Sequence, residues 1–245
     1  SFAMVIRVLP PDAADAVCVF YLVLRALDTI EDDMELEHFD ALHQQEQDQG
    51  DRLKTKQRLL DTFHELFLGP AALGGANNVA TFPLDRVIAS PIGKGDEHAL
   101  LEALPVLVEA FHKHIASARV REAVHRVVRE MGQGMAEFAA MDLGRGTANV
   151  VEYNRYCHFV AGTVGYGLTA IFDALGLEQN ASELVKDQRL WDGMGMLLQK
   201  TNIIRDVRED AAEGRAFWPQ DVWTQAAGEA GSLVKELGDV RDVRI

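Results

Sequence analysis

Apolar residues recur at helical spacing along most of the chain, and they predict a series of long helices. The most apolar run, residues 16–24, lies in a predicted helix from Ala13 to Asp33, which follows the start signal Pro10-Pro11-Asp12. This helix is apolar on nearly every face, so we expect it in the middle of the fold. Further helices are predicted at residues 52–67, 119–142, 150–175 and 181–209, with others beginning near residues 96 and 219.

The rest of the pattern adds no other kind of element. The sequence shows neither the alternation of a β-strand nor a repeat of solenoid length. The predicted fold class is therefore all-α, a single domain over residues 1–245 that forms a bundle of long helices around a central cavity. Within it, residues 69–95 are rich in glycine and proline, and we interpret them as a flexible insertion rather than a lid.

Interior glycines mark the predicted helices 119–142 and 150–175. Gly132 and Gly134 interrupt one apolar stripe, and Gly162, Gly165 and Gly167 follow each other in the next long helix. Each glycine weakens a helix by roughly 1 kcal/mol. We therefore interpret the first pair as places where another helix or a ligand approaches closely, and the other three as a slot or kink.

Composition and charge narrow the function. The chain has 245 residues, 48% of them hydrophobic, with a formal net charge of −14. This charge argues against nucleic-acid binding, but Mg²⁺ could bridge acidic residues to a small anionic substrate. Cys18 and Cys157 lie in apolar patterns and are interpreted as buried free thiols in a reducing compartment. Neither a signal peptide nor a membrane-spanning run is visible, and the opening at Ser1 is typical of a fragment.

Two acidic segments stand out because each follows an apolar run. The first reads Asp28-Thr-Ile-Glu-Asp-Asp33 and the second reads Asp206-Val-Arg-Glu-Asp210. Residues three and four apart share a helix face, so each segment predicts one acidic face. A single pattern of this kind is usually a solvated surface. Two copies beside buried helices favour a functional site in which the segments face each other.

The residue types in these segments favour one kind of metal. Carboxylate oxygens without a histidine or cysteine pattern select Mg²⁺, with Mn²⁺ as a possible substitute, rather than zinc. Mg²⁺ is usually completed by water and substrate phosphates, and the chemistry that follows is ionisation of an allylic diphosphate in a dry cavity. Arg25, Lys200, Arg205 and Arg215 lie near the acidic segments and could bind phosphate oxygens.

Five segments of the chain resemble the squalene synthase family, and they occur in that family's order up to about residue 225. They are residues 20–34 with Asp-Thr-Ile-Glu-Asp-Asp, 131–138, 156–162, 198–206 and the Phe-Trp-Pro-Gln of 217–220. The related phytoene synthases share the acidic pairs. The residues Asp-Thr-Ile-Glu-Asp-Asp of the first segment and Phe-Trp-Pro-Gln of the last resemble squalene synthases more than phytoene synthases.

The resemblance implies an isoprenoid synthase type of bundle and a prenyltransferase activity. It implies Mg²⁺-dependent head-to-head condensation of two molecules of farnesyl diphosphate to presqualene diphosphate, then NADPH-dependent reduction to squalene, a step of sterol biosynthesis. NADPH has no sequence signature of its own here, so its binding residues are unknown. The family also implies a monomer at the cytosolic face of the endoplasmic reticulum membrane, although this chain contains no anchor and is expected to be soluble.

The resemblance also assigns residues, by motif. The Mg²⁺ ligands would be Asp28, Glu31 and Asp32 at one diphosphate and Asp206, Glu209 and Asp210 at the other. Catalysis would fall to Tyr156, near the departing diphosphate or as proton acceptor, together with Asp28, Asp32, Asp206 and Asp210. The residues matching substrate-binding positions are Ser1, Phe2, Tyr21, Arg25, Gln199, Asn202, Arg205 and Arg215.

This chain departs from the family in three places. The segment 69–95 is longer than expected, the resemblance fades after about residue 225, and the family continues with several more helices. We therefore expect a core that is partly open and exposes apolar surface. Two alternatives stay open: a phytoene or dehydrosqualene synthase type of enzyme, and an inactive truncated relative that only binds diphosphate.

Overall fold

A computed structural model describes residues 2–42, 51–68, 82–141 and 143–227, and in these ranges the chain is helical without any β-strand. The all-α prediction is therefore confirmed for them. The α-helices are α1 (Phe2–Arg7), α2 (Pro11–Asp32), α3 (Arg52–Thr62), α4 (Leu84–Ile88), α5 (Asp96–Glu102), α6 (Leu104–His114), α7 (Ala118–Phe138), α8 (Val150–Cys157), α9 (Thr163–Ala174), α10 (Ala181–Lys186), α11 (Gln188–Arg205), α12 (Val207–Ala212) and α13 (Gln220–Ala227).

Helix α2 occupies the centre of the bundle, as its sequence predicts. It begins with Pro11 in its first turn, where a missing N–H costs nothing. Its side chains Phe20, Val23, Leu27 and Ile30 are fully buried or nearly so. It packs against α3, α5, α6, α7 and α9, so the rest of the described fold surrounds the helix that carries the first acidic segment.

Helix α7 approaches its neighbours closely through its glycines. Ser117 caps its first turn by accepting a hydrogen bond from the Val120 N–H. A Cβ atom on Gly132 would lie 2.3 Å from the carbonyl oxygen of Leu60 in α3. A Cβ atom on Gly134 would lie 2.2 Å from the ring of Phe159. The predicted role of both glycines in close packing is therefore confirmed.

The predicted helix 150–175 contains a wider turn. Residues His158–Gly162 form a π-helical turn between α8 and α9, a feature that often marks functional sites. The predicted slot is wrong. A Cβ atom on Gly165 would lie 2.3 Å from the Trp191 carbonyl oxygen, and one on Gly167 would lie 2.5 Å from the Phe20 ring. Only glycine fits at these positions, because other helices fill the space beside them.

The prediction of one helix over residues 181–209 is also wrong, since the chain forms three helices there. Asp187 leaves the helical conformation with φ −93° and ψ 87°, and its carboxylate accepts the Arg189 N–H at the start of α11. Asp206 lies at the junction of α11 and α12 with φ −95° and ψ 7°. At Asp187 the cap explains the break, since an aspartate side chain competes for backbone N–H groups. The Asp206 side chain makes no such cap and pairs with Arg205 instead.

The described part of the predicted insertion is packed against the core. Residues 69–81 lie outside the described residues. Residues 82–95 contain α4 and bury Phe82, Val87 and Ile92, and the Phe82 ring meets the edge of Phe63 at 5.4 Å between centroids. For this part, the prediction of a flexible insertion is wrong. Its apolar side chains are spaced between the prolines and glycines, and burying them holds the segment in place.

Helix α11 leaves apolar surface exposed, in line with the expectation of a partly open core. Of its residues, only Gly195 and Ile203 are buried. Its exposed apolar side chains are Leu190, Met194, Leu197, Leu198 and Ile204. Cys18 and Cys157 are both free thiols; Cys157 is buried as predicted, whereas Cys18 is only partly buried. The described helices include none with the length and hydrophobicity to cross a membrane.

Candidate active site

The first acidic segment forms the last turns of α2. Glu31 is buried, with 9% of its surface exposed, while Asp28 and Asp32 are partly exposed. The Arg25 Nη1 atom lies 3.9 Å from Asp28 Oδ2, and Arg25 also donates a hydrogen bond to Glu97 of α5. One arginine is therefore shared between two carboxylates, and this face of α2 has more negative than positive charge.

Asp33 follows this cluster and connects the end of the helix to neighbouring backbone. Its Oδ1 accepts the Glu35 N–H at 3.0 Å, and its Oδ2 accepts the Gly93 N–H at 3.0 Å. The same Oδ2 lies 2.8 Å from His38 Nδ1. Because both oxygens already have partners, Asp33 has a structural role beside the site.

The second acidic segment lies at the junction of α11 and α12. Asp206 forms a two-pronged ion pair with its neighbour, in which Arg205 Nε and Nη2 donate at 2.6 and 2.5 Å. Asp210 is partly buried, and its carbonyl accepts the Arg215 N–H at 2.8 Å. Glu209, in the first turn of α12, is exposed.

Arg215 joins the two acidic segments. Its Nη1 donates to Asp32 Oδ1 at 2.9 Å and its Nη2 donates to Glu213 Oε2 at 2.8 Å. Its Nη1 also lies 3.8 Å from Glu31 Oε2. Arg215 is 9% exposed, and its buried Nε has no hydrogen-bond partner among the described residues. A buried guanidinium with one unused donor fits a site that binds an additional anion.

Two cavities meet at this arginine. The smaller, of about 120 Å³, brings together seven of the predicted site residues and two others. Its lining residues are Asp32, Tyr156, Gln199, Asn202, Ile203, Asp206, Asp210, Arg215 and Phe217. The larger has a volume of about 360 Å³, and its lining residues are Thr29, Asp32, Asp33, Met34, Glu35, Gly93, Lys94, Glu97, Glu213 and Arg215. Asp32 and Arg215 line both, so their ion pair is a shared wall.

Tyr156 lies at the apolar side of the smaller cavity. It is 5% exposed, stacks on Phe217 with ring centroids 4.7 Å apart, and meets the edge of Phe138 at 5.2 Å. Burial, and then the nearby Glu31, raises the pKa of the Tyr156 hydroxyl well above its ordinary value. The hydroxyl therefore stays protonated at neutral pH and can donate a hydrogen bond to an anion in the cavity.

The carboxylates of the site are short of positive charge. Burial raises the pKa of Asp28 to about 8, and the neighbouring Asp32 and Glu31 add to this effect. Burial and Asp32 likewise raise the pKa of Glu31. Burial raises the pKa of Asp210 to about 6. Carboxylates that hold protons near neutral pH for want of a counter-charge fit a divalent cation.

The metal site is not assembled from protein ligands alone. No group of three or more acidic, histidine or cysteine side chains in the described ranges is close enough to enclose an ion. The oxygen-only donor set nevertheless fits Mg²⁺, which keeps several waters and takes substrate phosphate oxygens as ligands. Asp32 of the first segment and Asp206 and Asp210 of the second line the smaller cavity together with Arg215, so cations held by either segment would lie beside this cavity.

Other predicted residues lie outside the two cavities. Tyr21, Arg25, Asp28 and Asp32 follow one face of α2 at spacings of four, three and four residues, but only Asp32 lines a cavity. Lys200 donates to Asn154 of α8 at 2.6 Å. Ser1 lies outside the described residues, and Phe2 is the first residue of α1. Glu31, Arg205 and Glu209 also line neither cavity.

Sequence reasoning missed several residues around the site. Ile203 and Phe217 line the smaller cavity, and Phe217 belongs to the Phe-Trp-Pro-Gln segment that the sequence had already marked. Glu97 and Lys56 reach the first acidic segment from α5 and α3. A signal for Lys56 existed, since it lies between Leu53 and Leu60 on the apolar stripe of α3.

Known proteins share this fold and these segments. The chain matches the profile of the squalene/phytoene synthase family over residues 1–244. It is 37% identical to squalene synthase ERG9 of Saccharomyces cerevisiae over 238 residues, which cover 96% of this chain and 46% of the yeast protein. It is 36% identical to squalene synthase of Homo sapiens over 239 residues, which cover 98% of this chain and 46% of the human protein.

A solved structure extends the likeness to three dimensions. TcSQS in complex with the ligand BPH1237 superimposes with a TM-score of 0.70 at 34% identity, over 92% of this chain and 55% of that chain. This confirms the predicted helical bundle of the isoprenoid synthase type. The chain spans slightly less than half the length of the curated relatives named above, and nearly all of this chain takes part in each match. The chain belongs to the squalene/phytoene synthase family.

Proposed function

We propose that this chain carries the diphosphate-ionising site of a squalene-synthase-type prenyltransferase. The reaction is condensation of two molecules of farnesyl diphosphate to presqualene diphosphate, followed by NADPH-dependent reduction to squalene. One observation supports this most directly: two acidic segments far apart in sequence meet Tyr156 and Arg215 around one small cavity. The 36% identity to human squalene synthase supports the choice of substrate.

The polar residues of the chain would bind the leaving diphosphate. Arg215 offers an unused buried N–H, and Gln199 and Asn202 present amide groups from the same face of α11. Arg205 is paired with Asp206 and would exchange this carboxylate for a phosphate oxygen when substrate arrives. These donors stabilise the negative charge that grows on the diphosphate as the carbon–oxygen bond breaks.

The apolar residues of the chain would shelter the other product of that bond cleavage, an allylic carbocation. The Phe217 and Tyr156 rings form one side of the smaller cavity, and aromatic faces attract cations. Leu198 lies on the same face of α11 as Asn202 and is exposed, so it offers apolar surface to an isoprenoid chain. The protonated Tyr156 hydroxyl would donate to the departing diphosphate.

Mg²⁺ would be held by Asp28, Glu31 and Asp32 on one side and by Asp206 and Asp210 on the other, with Glu209 as a further ligand by family resemblance. When bound, the metal neutralises charge on the diphosphate. The exposed position of Glu209 makes its contribution the weakest of the six. The NADPH requirement, the monomeric state and the location at the endoplasmic reticulum membrane stay predictions that rest on the family.

Product analysis tests this proposal. The chain is incubated with labelled farnesyl diphosphate and Mg²⁺, with and without NADPH. Squalene formed only with NADPH supports the full reaction. Presqualene diphosphate under both conditions supports the first step alone. A C30 hydrocarbon that forms from farnesyl diphosphate without NADPH would reassign the chain to the dehydrosqualene type. A C40 hydrocarbon formed in a parallel incubation with the C20 homologue, geranylgeranyl diphosphate, would reassign it to the phytoene type. A folded chain that yields no product contradicts the proposal.

A further inference from the structure

Lys56 is a buried cation at the end of the helix that carries the first acidic segment. It lies on α3 and is 4% exposed, which is rare for a lysine. Its Nζ donates to the carbonyl oxygen of Glu31 at 2.5 Å and to that of Asp33 at 2.9 Å. Its partners are thus backbone oxygens, although several carboxylates lie close by.

The contacts of Lys56 replace the usual end of a helix. The last carbonyl groups of an α-helix have no partner within the helix, and a glycine turn commonly satisfies them. Here α2 ends at Asp32, and Asp33 continues in an extended conformation with φ −70° and ψ 103°. Lys56 satisfies the carbonyls on either side of Asp32, and its charge interacts favourably with the negative end of the helix dipole.

We propose that Lys56 is a positioning residue for the first metal site: it fixes the last turn of α2, and so the directions in which Glu31 and Asp32 point. This inference rests on the proposed function. The geometry supports it because Lys56 holds the backbone at residues 31 and 33, directly beside both side chains. Asp33 holds the same turn from the other side through Gly93 and His38.

Lys56→Met separates positioning from simple charge. Removing a cation beside carboxylates strengthens their attraction for a metal ion, so an effect of charge alone would make metal binding tighter. Loss of positioning acts in the opposite direction, since residues that orient metal ligands typically contribute roughly 10- to 100-fold to affinity. The sign of the change in affinity therefore decides between the two roles.

The experiment is a titration of the full chain with Mn²⁺ in the presence of inorganic diphosphate. Electron paramagnetic resonance measures the bound and free Mn²⁺. We expect Lys56→Met to bind Mn²⁺ roughly 10- to 100-fold more weakly than the unmodified chain. Lys54→Met is the matched control, because Lys54 is an exposed lysine one helical half-turn away whose partner is Asp51. It should leave the affinity unchanged.

A second variant covers the case in which Lys56→Met does not fold. Lys56→Gln also removes the charge but keeps an N–H donor. It should bind Mn²⁺ more weakly than the unmodified chain and, where Lys56→Met folds, more tightly than Lys56→Met. If the folded variants bind Mn²⁺ as tightly as the unmodified chain, or more tightly, the inference is overturned and the proposed function is left intact. Failure of both variants to fold would make Lys56 a residue of general stability and also overturn it. If the unmodified chain binds no Mn²⁺, the proposed function fails, and the inference fails with it.

Discussion

Arg215 donates a hydrogen bond to Asp32 at 2.9 Å, although the two residues are 183 positions apart in the sequence. Asp32 belongs to the first acidic segment, and Arg215 follows the second. The contact places a buried positive charge between two groups of carboxylates. It neutralises part of their repulsion while no metal is bound, and it leaves one N–H free for an anion.

Arg215→Met should destabilise the fold strongly. The change leaves the buried Glu31 and the partly buried Asp32 without their nearest cation, and breaking a buried pair from one side costs about 3–5 kcal/mol. Urea unfolding measures the loss, and Mg²⁺ should restore part of it. Arg189→Met is the control, since Arg189 is an exposed arginine whose pair with Asp187 lies at the surface. A loss for Arg215→Met as small as that of the control would contradict this view of Arg215.

Asp206→Asn and Glu209→Gln should differ sharply in activity. Asp206 lines the smaller cavity, whereas Glu209 is exposed and lines neither cavity. We expect Asp206→Asn to slow diphosphate release from farnesyl diphosphate by roughly 100-fold or more, because the site loses charge that its Mg²⁺ needs. Glu209→Gln should keep most of the rate. Equal losses in the two variants would instead make Glu209 a metal ligand, as the family resemblance implies.

The sequence predicted the central helix well, and seven of the residues that it singled out line the smaller cavity. Helix α2 has one strong apolar pattern and clear end signals, so its bounds of Pro11 and Asp32 lie close to the predicted Ala13 and Asp33. Asp32 and Tyr156 were assigned through segments that resemble a known family, and Arg215 lies two residues before the last of these segments. Residue roles can be taken from the family at these positions because the matching segments occur in the family's order along this chain.

The errors in the sequence analysis have a common physical cause, which is that local patterns do not show what packs against them. Asp187 and Asp206 are compatible with a helix in sequence, yet in the fold Asp187 caps α11 and Asp206 lies at the break between α11 and α12. Lys56 is buried because the carbonyls of α2 satisfy it, and these lie more than twenty residues away in the chain. Positions 165 and 167 require glycine because Trp191 and Phe20 leave no room for a Cβ atom there. Only the tertiary structure supplies these partners.

Tyr156→Phe should separate chemistry from packing. The phenylalanine ring keeps the stacking on Phe217 and the edge contact with Phe138, so the free energy of unfolding should change little. The lost hydroxyl removes a proton donor at the cavity, and general acid–base groups typically contribute about 100-fold or more. Steady-state formation of presqualene diphosphate measures the effect. An unchanged rate in a folded variant would limit Tyr156 to a packing role.

Alanine at two glycines should have opposite effects on stability. Gly132→Ala places a Cβ atom 2.3 Å from the backbone oxygen of Leu60, so α3 and α7 must move apart and the core loses packing. Gly193 in α11 has open space around its Cβ position. Gly193→Ala should therefore stabilise the chain by about 0.5–1 kcal/mol through helix propensity. Thermal or urea unfolding of both variants checks this, and a neutral Gly132→Ala would contradict the close packing.

The stability of the metal-free chain should fall as the pH rises, and Asp28 should account for much of this. Burial raises the pKa of Asp28 to about 8 in the folded chain, against about 4 in the unfolded chain. Between these values the folded state keeps a proton that the unfolded state has lost, so the free energy of unfolding decreases from about pH 4 to pH 8. Urea unfolding at pH 5 and pH 8, without divalent ions, measures the decrease. Asp28→Asn should reduce it, whereas Glu209→Gln should not. Mg²⁺ should stabilise the chain more at pH 8, where protons compete with it less than at pH 5, and an equal effect at both pH values would count against a metal site at Asp28.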